Sequence, residues 1–240
     1  MTDISVDQIS DFIHQFRALH RSEAIDAVQG FQDAFKQLQE GFHETEQRSI
    51  DQARLSAPRF NIFSVLRLSQ YEVRTHSALL AHLLNPGASH GQQDLFLSAF
   101  LGECAQAFPD FPLPSEDVKN GHWQTYPEVM TPFGRLDIVI RSPDLNYLCV
   151  IENKVYAGEQ PGQLERYGEW LATQHDDYPQ QALIYLTLHG LASNTAQDVK
   201  YFRLSYKRDI DWWLIKTIPN IQAPVVKTAV KQYLDLIRKL

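Results

Sequence analysis

Asp137, Glu152 and Lys154 are three ionisable residues within two neighbouring stretches of apolar sequence. Charges in such surroundings are costly unless they are paired or bind a metal ion. Two close carboxylates repel each other, and a divalent cation such as Mg²⁺, which prefers oxygen ligands, removes that repulsion. A lysine beside a metal-bound water can orient the water or neutralise charge that develops on a phosphate. The three residues could therefore hydrolyse a phosphate ester.

A purely structural role explains the same three residues equally well from composition and spacing alone. Lys154 could form a buried salt bridge with Glu152 or with Asp137, and such ion pairs also perturb pKa values without any catalytic purpose. Both interpretations place the charged groups close together.

The two apolar stretches are predicted to form a β-hairpin, because residues 142–146 between them (Ser-Pro-Asp-Leu-Asn) are typical of a turn. With a loop of four or five residues, Asp137 faces Ile151 or Glu152, and either register brings the two carboxylates together. Glu152 and Lys154 are two residues apart, so they project from the same face of the strand.

The elements around the hairpin predict an α/β core with a mixed sheet rather than a doubly wound parallel one. Strands are expected at 123–130, 135–141, 147–154, 182–187 and 201–204. Helices are expected at 75–84 (with Thr75 as N-cap), 92–108, 161–173, 210–218 and 224–240.

The first 57 residues are predicted to be a helical extension of two or three helices, and residues 58–240 a separate domain. Glycine and proline are nearly absent before Pro58. Apolar residues there recur at helical spacing: Ile9, Phe12, Ile13, Phe16, Ala24, Ala27, Val28, Phe31, Phe35 and Leu38. We expect this extension to form a homo-oligomer or to bind a partner protein.

Composition limits the classes of function. A chain of 240 residues with 44% hydrophobic content can bury one sizeable core, and its apolar runs are too short to cross a membrane. Cys104 and Cys149 lack metal-ligand spacing, which suits a reducing cytoplasm. The net charge of −7 argues against strong non-specific binding to DNA, although it does not exclude brief catalytic contact.

Asp137 followed by Glu152-Asn153-Lys154 resembles the signature of the PD-(D/E)XK nuclease superfamily, and residues 134–137 (Gly-Arg-Leu-Asp) resemble its first acidic motif. The proline that gives the superfamily its name is replaced by Leu136. Residues 163–167 (Gln-Leu-Glu-Arg-Tyr) are similar to the QxxxY motif of RecB-like members. Residues 76–97, 158–167 and 205–210 are similar to a bacterial branch that includes defence-associated members.

This resemblance implies a restriction-endonuclease-like core with a mixed sheet of four to five strands flanked by helices. Asp137 and Glu152 would bind Mg²⁺, or Mn²⁺ in its place, with the backbone carbonyl of Asn153 as a further ligand. Lys154 would position the attacking water. Gln163 and Tyr167, which share a helix face, would point towards the active site and the substrate.

A fourth acidic group from an early helix is also expected in this superfamily. Glu72 is the preferred candidate, and Glu128 on the preceding strand is the alternative. The spacing of His76, His82 and His90 fits no helical zinc pair, so these residues are expected to serve packing or substrate contacts, with His76 the strongest functional candidate.

The expected function is a metal-dependent endo- or exodeoxyribonuclease that hydrolyses the phosphodiester bonds of DNA, in the cytoplasm and in bacterial defence. Two alternatives remain open. One is a catalytically silent module of the same fold that binds nucleic acid or a partner protein, and the other is a nuclease directed at RNA.

Overall fold

A computed structural model describes the backbone of residues 6–240 and the side chains of residues 10–21 and 25–240. Ile9 and Ala24, two of the predicted apolar positions, lie outside the described side chains. Two compact units are present, one ending at Phe60 and the other spanning Asn61–Leu240.

The elements of the described chain follow one another in a simple order. The first unit contains α1 (Val6–Ser56). The second contains α2 (Ile62–Val65), α3 (Ala78–Leu83), α4 (Leu95–Ala107), β1 (Gln124–Thr131), β2 (Gly134–Ser142), β3 (Tyr147–Lys154), α5 (Gln163–Thr173), β4 (Gln180–Thr187), β5 (Phe202–Ser205), α6 (Asp211–Thr217) and α7 (Pro224–Ile237). Short π-helical turns, Glu72–Ser77 and Tyr206–Ile210, lead into α3 and α6.

The N-terminal extension is one continuous helix, so the prediction of two or three helices was wrong. No proline occurs before Pro58 to end the helix earlier. Gly30 and Gly41 lie inside the helix, where each costs only about 1 kcal/mol relative to alanine and does not force a break.

The sheet has the strand order β1-β2-β3-β4-β5. The first three strands form an antiparallel meander, whereas β4 and β5 each run parallel to the strand before them. Helix α5 provides the long connection that the parallel pair β3–β4 needs. The predicted α/β fold with a mixed sheet, flanking helices and an N-terminal helical extension is confirmed.

The register of the β2–β3 hairpin selects one of the two predicted pairings. Ile138 pairs with Ile151, and Ser142 pairs with Tyr147 across a four-residue turn. Continued by one residue, this register places Asp137 opposite Glu152.

Each face of the sheet is covered by its own apolar cluster. One face packs against α3, α4, α6 and α7, with Phe96, Trp213 and Tyr233 among its buried side chains. The other packs against α5 through Leu164, Tyr167 and Leu171. Consecutive residues of β3 therefore point into different surroundings.

Thr75 is not an N-cap. The helical turn begins earlier, at Glu72, and Thr75 is a buried residue within it. Cys104 and Cys149 are both buried and unpaired. Within residues 6–240, no helix combines the length and the apolar character needed to cross a membrane.

Candidate active site

Asp137 on β2 and Glu152 on β3 form a buried pair of carboxylates. Asp137 is 7% exposed and Glu152 only 1%. Oδ2 of Asp137 accepts a hydrogen bond of 2.8 Å from the backbone N–H of Asn153, which fixes the end of the hairpin. Burial raises the pKa of the Asp137 carboxyl, although this hydrogen bond opposes the rise.

Glu152 is the least satisfied charged group of the site. Nζ of Lys154 lies 2.6 Å from its Oε1, close enough for an ion pair. Oε2 of Glu152 has no hydrogen-bond partner among the described residues. Burial, followed by the charge of Asp137, raises the pKa of Glu152 to about 8.

Lys154 remains a charged group at neutral pH. Burial lowers the pKa of its ammonium, but the negative charges of Glu152 and Asp137 outweigh that effect, and the net change is upward. The ion pair with Glu152 is the contact that a purely structural role also predicts. The ion pair leaves Oε2 of Glu152 without a hydrogen-bond partner in the described part of the chain, whereas buried polar groups are normally hydrogen-bonded.

Asn153 lies between these two residues in sequence, and its side chain has a full set of partners. Nδ2 donates to Oγ of Ser77 at 2.9 Å, and Oδ1 accepts from the Tyr206 hydroxyl at 2.8 Å. Sequence reasoning missed Ser77 and Tyr206 as supports of the site, although both occur in motifs noted for the bacterial branch. They hold the strand from which Glu152 and Lys154 project.

Glu72 reaches the end of β3 from the π-helical turn before α3. Its Oε1 accepts hydrogen bonds from three successive backbone N–H groups, those of Val155, Tyr156 at 2.6 Å and Ala157 at 3.0 Å. The structure thus brings Glu72 next to Lys154, where it fixes the segment that follows the lysine.

Glu128 also lies beside the carboxylate pair. The β1–β2 register, with Pro127 opposite Ile138, places Glu128 across from Asp137. Its Oε2 lies 2.7 Å from Nε of Arg135. Burial raises the pKa of Glu128 despite the opposing charge of Arg135. Both candidates for a fourth acidic group are therefore near the site.

Gln163 and Tyr167 face the same region from the first two turns of α5. Nε2 of Gln163 donates to the Tyr167 hydroxyl at 2.8 Å, and that hydroxyl donates to the carbonyl of Arg135 on β2. Burial and then the charge of Glu152 raise the pKa of Tyr167, which places its hydroxyl near the carboxylates. Oε1 of Gln163 is buried without a partner in the described part of the chain.

A family model of the PD-(D/E)XK nuclease superfamily matches residues 60–235, which include all of these side chains. The chain belongs to the PD-(D/E)XK nuclease superfamily. Members of this superfamily are generally nucleases. No curated protein and no solved structure gives a significant match to the chain.

The residues of the superfamily signature suit a divalent cation. No group of three or more His, Cys, Asp or Glu side chains within the described residues is arranged to hold a metal ion. Mg²⁺ needs fewer protein ligands than that, because it binds through one or two carboxylates and keeps several waters. Asp137 and Glu152 provide two buried carboxylates, and Oε2 of Glu152 has no hydrogen-bond partner among the described residues.

His76 has a packing role in this superfamily member. It is fully buried, with Nδ1 2.9 Å from the Tyr233 hydroxyl and Nε2 2.9 Å from the carbonyl oxygen of Ser69. Nε2 of His90 likewise lies 2.9 Å from the carbonyl oxygen of Asn85. Because both ring nitrogens of His76 are engaged, its predicted contact with substrate has no support in the geometry.

Proposed function

We propose that the protein is a metal-dependent nuclease that hydrolyses the phosphodiester bonds of DNA. The observation that carries this proposal is the pair of buried carboxylates, Asp137 and Glu152, beside the single ammonium of Lys154. One positive charge does not balance two buried negative charges, and a divalent cation would offset the remainder. Membership of the nuclease superfamily supports the same conclusion.

Asp137 and Glu152 hold the cation in this proposal, with the Asn153 carbonyl as a further ligand. Mg²⁺, or Mn²⁺ in its place, would neutralise the carboxylates and the substrate phosphate. Lys154 orients the attacking water and offsets the charge that develops on the phosphate. Gln163 provides an unpaired amide oxygen that can accept a hydrogen bond from water or substrate.

Tyr167 is a positioning residue in this proposal, because its hydroxyl donates to the carbonyl of Arg135, two residues before Asp137. Glu72 has a similar role at the end of β3, where it holds the three N–H groups that follow Lys154. The sequence resemblance to defence-associated members supports DNA as the substrate and bacterial defence as the setting. Two buried, unpaired cysteines are consistent with a location in the cytoplasm.

The experiment that tests the proposal incubates the protein with labelled duplex DNA, single-stranded DNA and RNA, each with Mg²⁺, Mn²⁺ or EDTA. Asp137→Ala and Lys154→Ala proteins run in parallel, with Lys231→Ala on the exposed face of α7 as a matched control. We expect cleavage of DNA that requires metal and is lost in the first two variants only. Equal cleavage in EDTA would exclude the metal-dependent mechanism, and cleavage of RNA alone would favour the RNA-directed alternative.

A second candidate function is a silent module of the same fold that binds nucleic acid or a partner protein. The net charge of −7 favours this alternative, because proteins that hold many phosphates usually carry a basic surface. Calorimetry separates the two functions. A nuclease binds Mg²⁺ or Mn²⁺ in a manner that depends on Asp137, whereas a silent module shows no such binding.

A further inference from the structure

Helix α1 carries a row of exposed apolar side chains along its middle. We call this row the α1 seam: Val28, Phe31, Phe35, Leu38 and Phe42. Every member is more than half exposed. The intervals alternate between three and four residues, which gives an average of 3.5. That period is the one at which apolar residues line the contact between two helices of a left-handed coiled coil.

The helix has features that make it weak without a partner. Gly30 and Gly41 lie within it, and each costs about 1 kcal/mol relative to alanine in a helix interior. Most of the stability of helices in proteins comes from packing of their apolar face rather than from intrinsic propensity. A contiguous exposed apolar surface of this kind marks an interaction site. The α1 seam is therefore a surface on which a second helix can pack.

The residues that flank the seam allow an identical helix to approach. In heptad terms, Val28 and Phe35 are a positions and Phe31 is a d position. The e and g positions between Val28 and Phe42 are uncharged: Gln32, Ala34, Gln39 and Gly41. Like charges at these positions would repel a second copy, and here the sequence has none.

Two arginines of α1 favour an antiparallel pair. Arg17 and Arg21 fall at d and a positions when the heptads of the α1 seam are continued towards the N-terminus. In a parallel pair each arginine would face its own copy across the contact, where like charges repel. In an antiparallel pair centred on residue 33, Arg17 lies opposite Ser49 and Arg21 lies opposite Thr45, and both of these residues are uncharged.

We propose that two copies of the chain associate through the α1 seam as an antiparallel coiled coil. Val28 of one copy lies opposite Leu38 of the other, and Phe31 lies opposite Phe35. The ten seam side chains of the pair would bury on the order of 1,000 Å², which reaches the lower range of specific protein interfaces. This association is independent of the proposed nuclease activity, so either can fail without the other.

The oligomeric state tests the association. Sedimentation equilibrium of the full chain at about 50 μM should give twice the chain mass of 27.6 kDa. The double variant Phe31→Glu, Phe35→Glu should give the mass of one chain. Leu55→Glu is the matched control, since Leu55 is an exposed apolar residue of α1 outside the seam, and this variant should remain dimeric. A monomeric wild type, or a double variant that stays dimeric, would overturn the proposal.

Disulfide trapping tests the direction of the helices. The register above places His14 of one copy opposite Gln52 of the other, and the two native cysteines are buried. A mixture of the His14→Cys and Gln52→Cys proteins should therefore form a mixed disulfide under mild oxidation. Gln52→Cys alone should form little disulfide, because residue 52 faces itself only in a parallel pair. Efficient cross-linking of Gln52→Cys alone would overturn the antiparallel arrangement.

Discussion

Glu152 and Asn153 are neighbours on β3, and their side chains enter opposite faces of the sheet with opposite results. The Asn153 side chain has partners for its amide nitrogen and its amide oxygen, both buried. Glu152 is equally buried, yet its Oε1 has only the ion pair with Lys154, and its Oε2 has no hydrogen-bond partner among the described residues. The polar groups of Asn153 on the helical face are paired, whereas on the α5 face two buried carboxylates share one ammonium. Asn153 therefore supports the fold, whereas its neighbour Glu152 belongs to the candidate active site.

The largest expected effect comes from removing the Glu152 carboxylate. Glu152→Gln keeps the size of the side chain but removes a negative charge, so we expect cleavage to fall by about 1,000-fold, equivalent to roughly 4 kcal/mol of transition-state stabilisation. Single-turnover cleavage in Mg²⁺ measures this loss, and thermal unfolding measures the fold. A variant that cleaves normally would show that the carboxylate has no catalytic role.

Asn153, whose side chain is fully hydrogen-bonded, should give the reverse result: its replacement should lower stability. Asn153→Ala leaves the Tyr206 hydroxyl and the Ser77 hydroxyl buried without their partner, and each such loss costs about 1–3 kcal/mol. We expect a decrease of about 2–3 kcal/mol in the free energy of unfolding, which lowers Tm by roughly 5–10 °C for a chain of this length. Urea titration followed by circular dichroism provides the measurement.

Tyr206→Phe is the matched variant for Asn153→Ala, because it removes one hydroxyl and leaves the ring in the core. It should destabilise the protein by about half as much. If both variants were as stable as the wild type, the hydrogen bonds of the Asn153 side chain would not stabilise β3. Asn153 would then have no structural role to set against the role of Glu152.

The sequence was sufficient to predict the parts of the fold that depend on local pattern. Strand β3 begins and ends at the predicted residues. The mixed sheet was predictable because only one helix, α5, lies between the first and the fourth strand. The register of the hairpin remained open between two choices, because loop length alone does not fix the turn. The four-residue turn after Ser142 settles it.

Other features depend on contacts between distant parts of the chain, which no local pattern records. Tyr206 lies 53 residues after Asn153, and their hydrogen bond forms only because the fold brings the π-helical turn after β5 within reach of the end of β3. Glu72 was a candidate ligand on sequence grounds, but its bonds to three backbone N–H groups could not be anticipated. The continuity of α1 was missed because two groups of apolar residues looked like two helices.

The smallest expected effect is the part of the pH dependence of stability that Glu152 produces. Its pKa is raised to about 8 in the folded protein, chiefly by burial, from an ordinary value of 4.5. Between these two values the folded state binds more protons than the unfolded state, so stability falls as pH rises. The contribution is fully present below about pH 4.5 and is lost as pH passes through 8.

In EDTA, the Tm of Glu152→Gln minus that of the wild type should therefore increase between pH 6 and pH 9. A change of about 1 kcal/mol corresponds to roughly 2–4 °C. Asn153 has no ionisable group, so Asn153→Ala should lower Tm by the same amount at both values of pH. Adding Mg²⁺ should stabilise the wild type most at high pH, because the cation replaces the proton on Glu152. If the difference in Tm between Glu152→Gln and the wild type stayed constant with pH, Glu152 would already be ionised and balanced by Lys154, as in a structural ion pair.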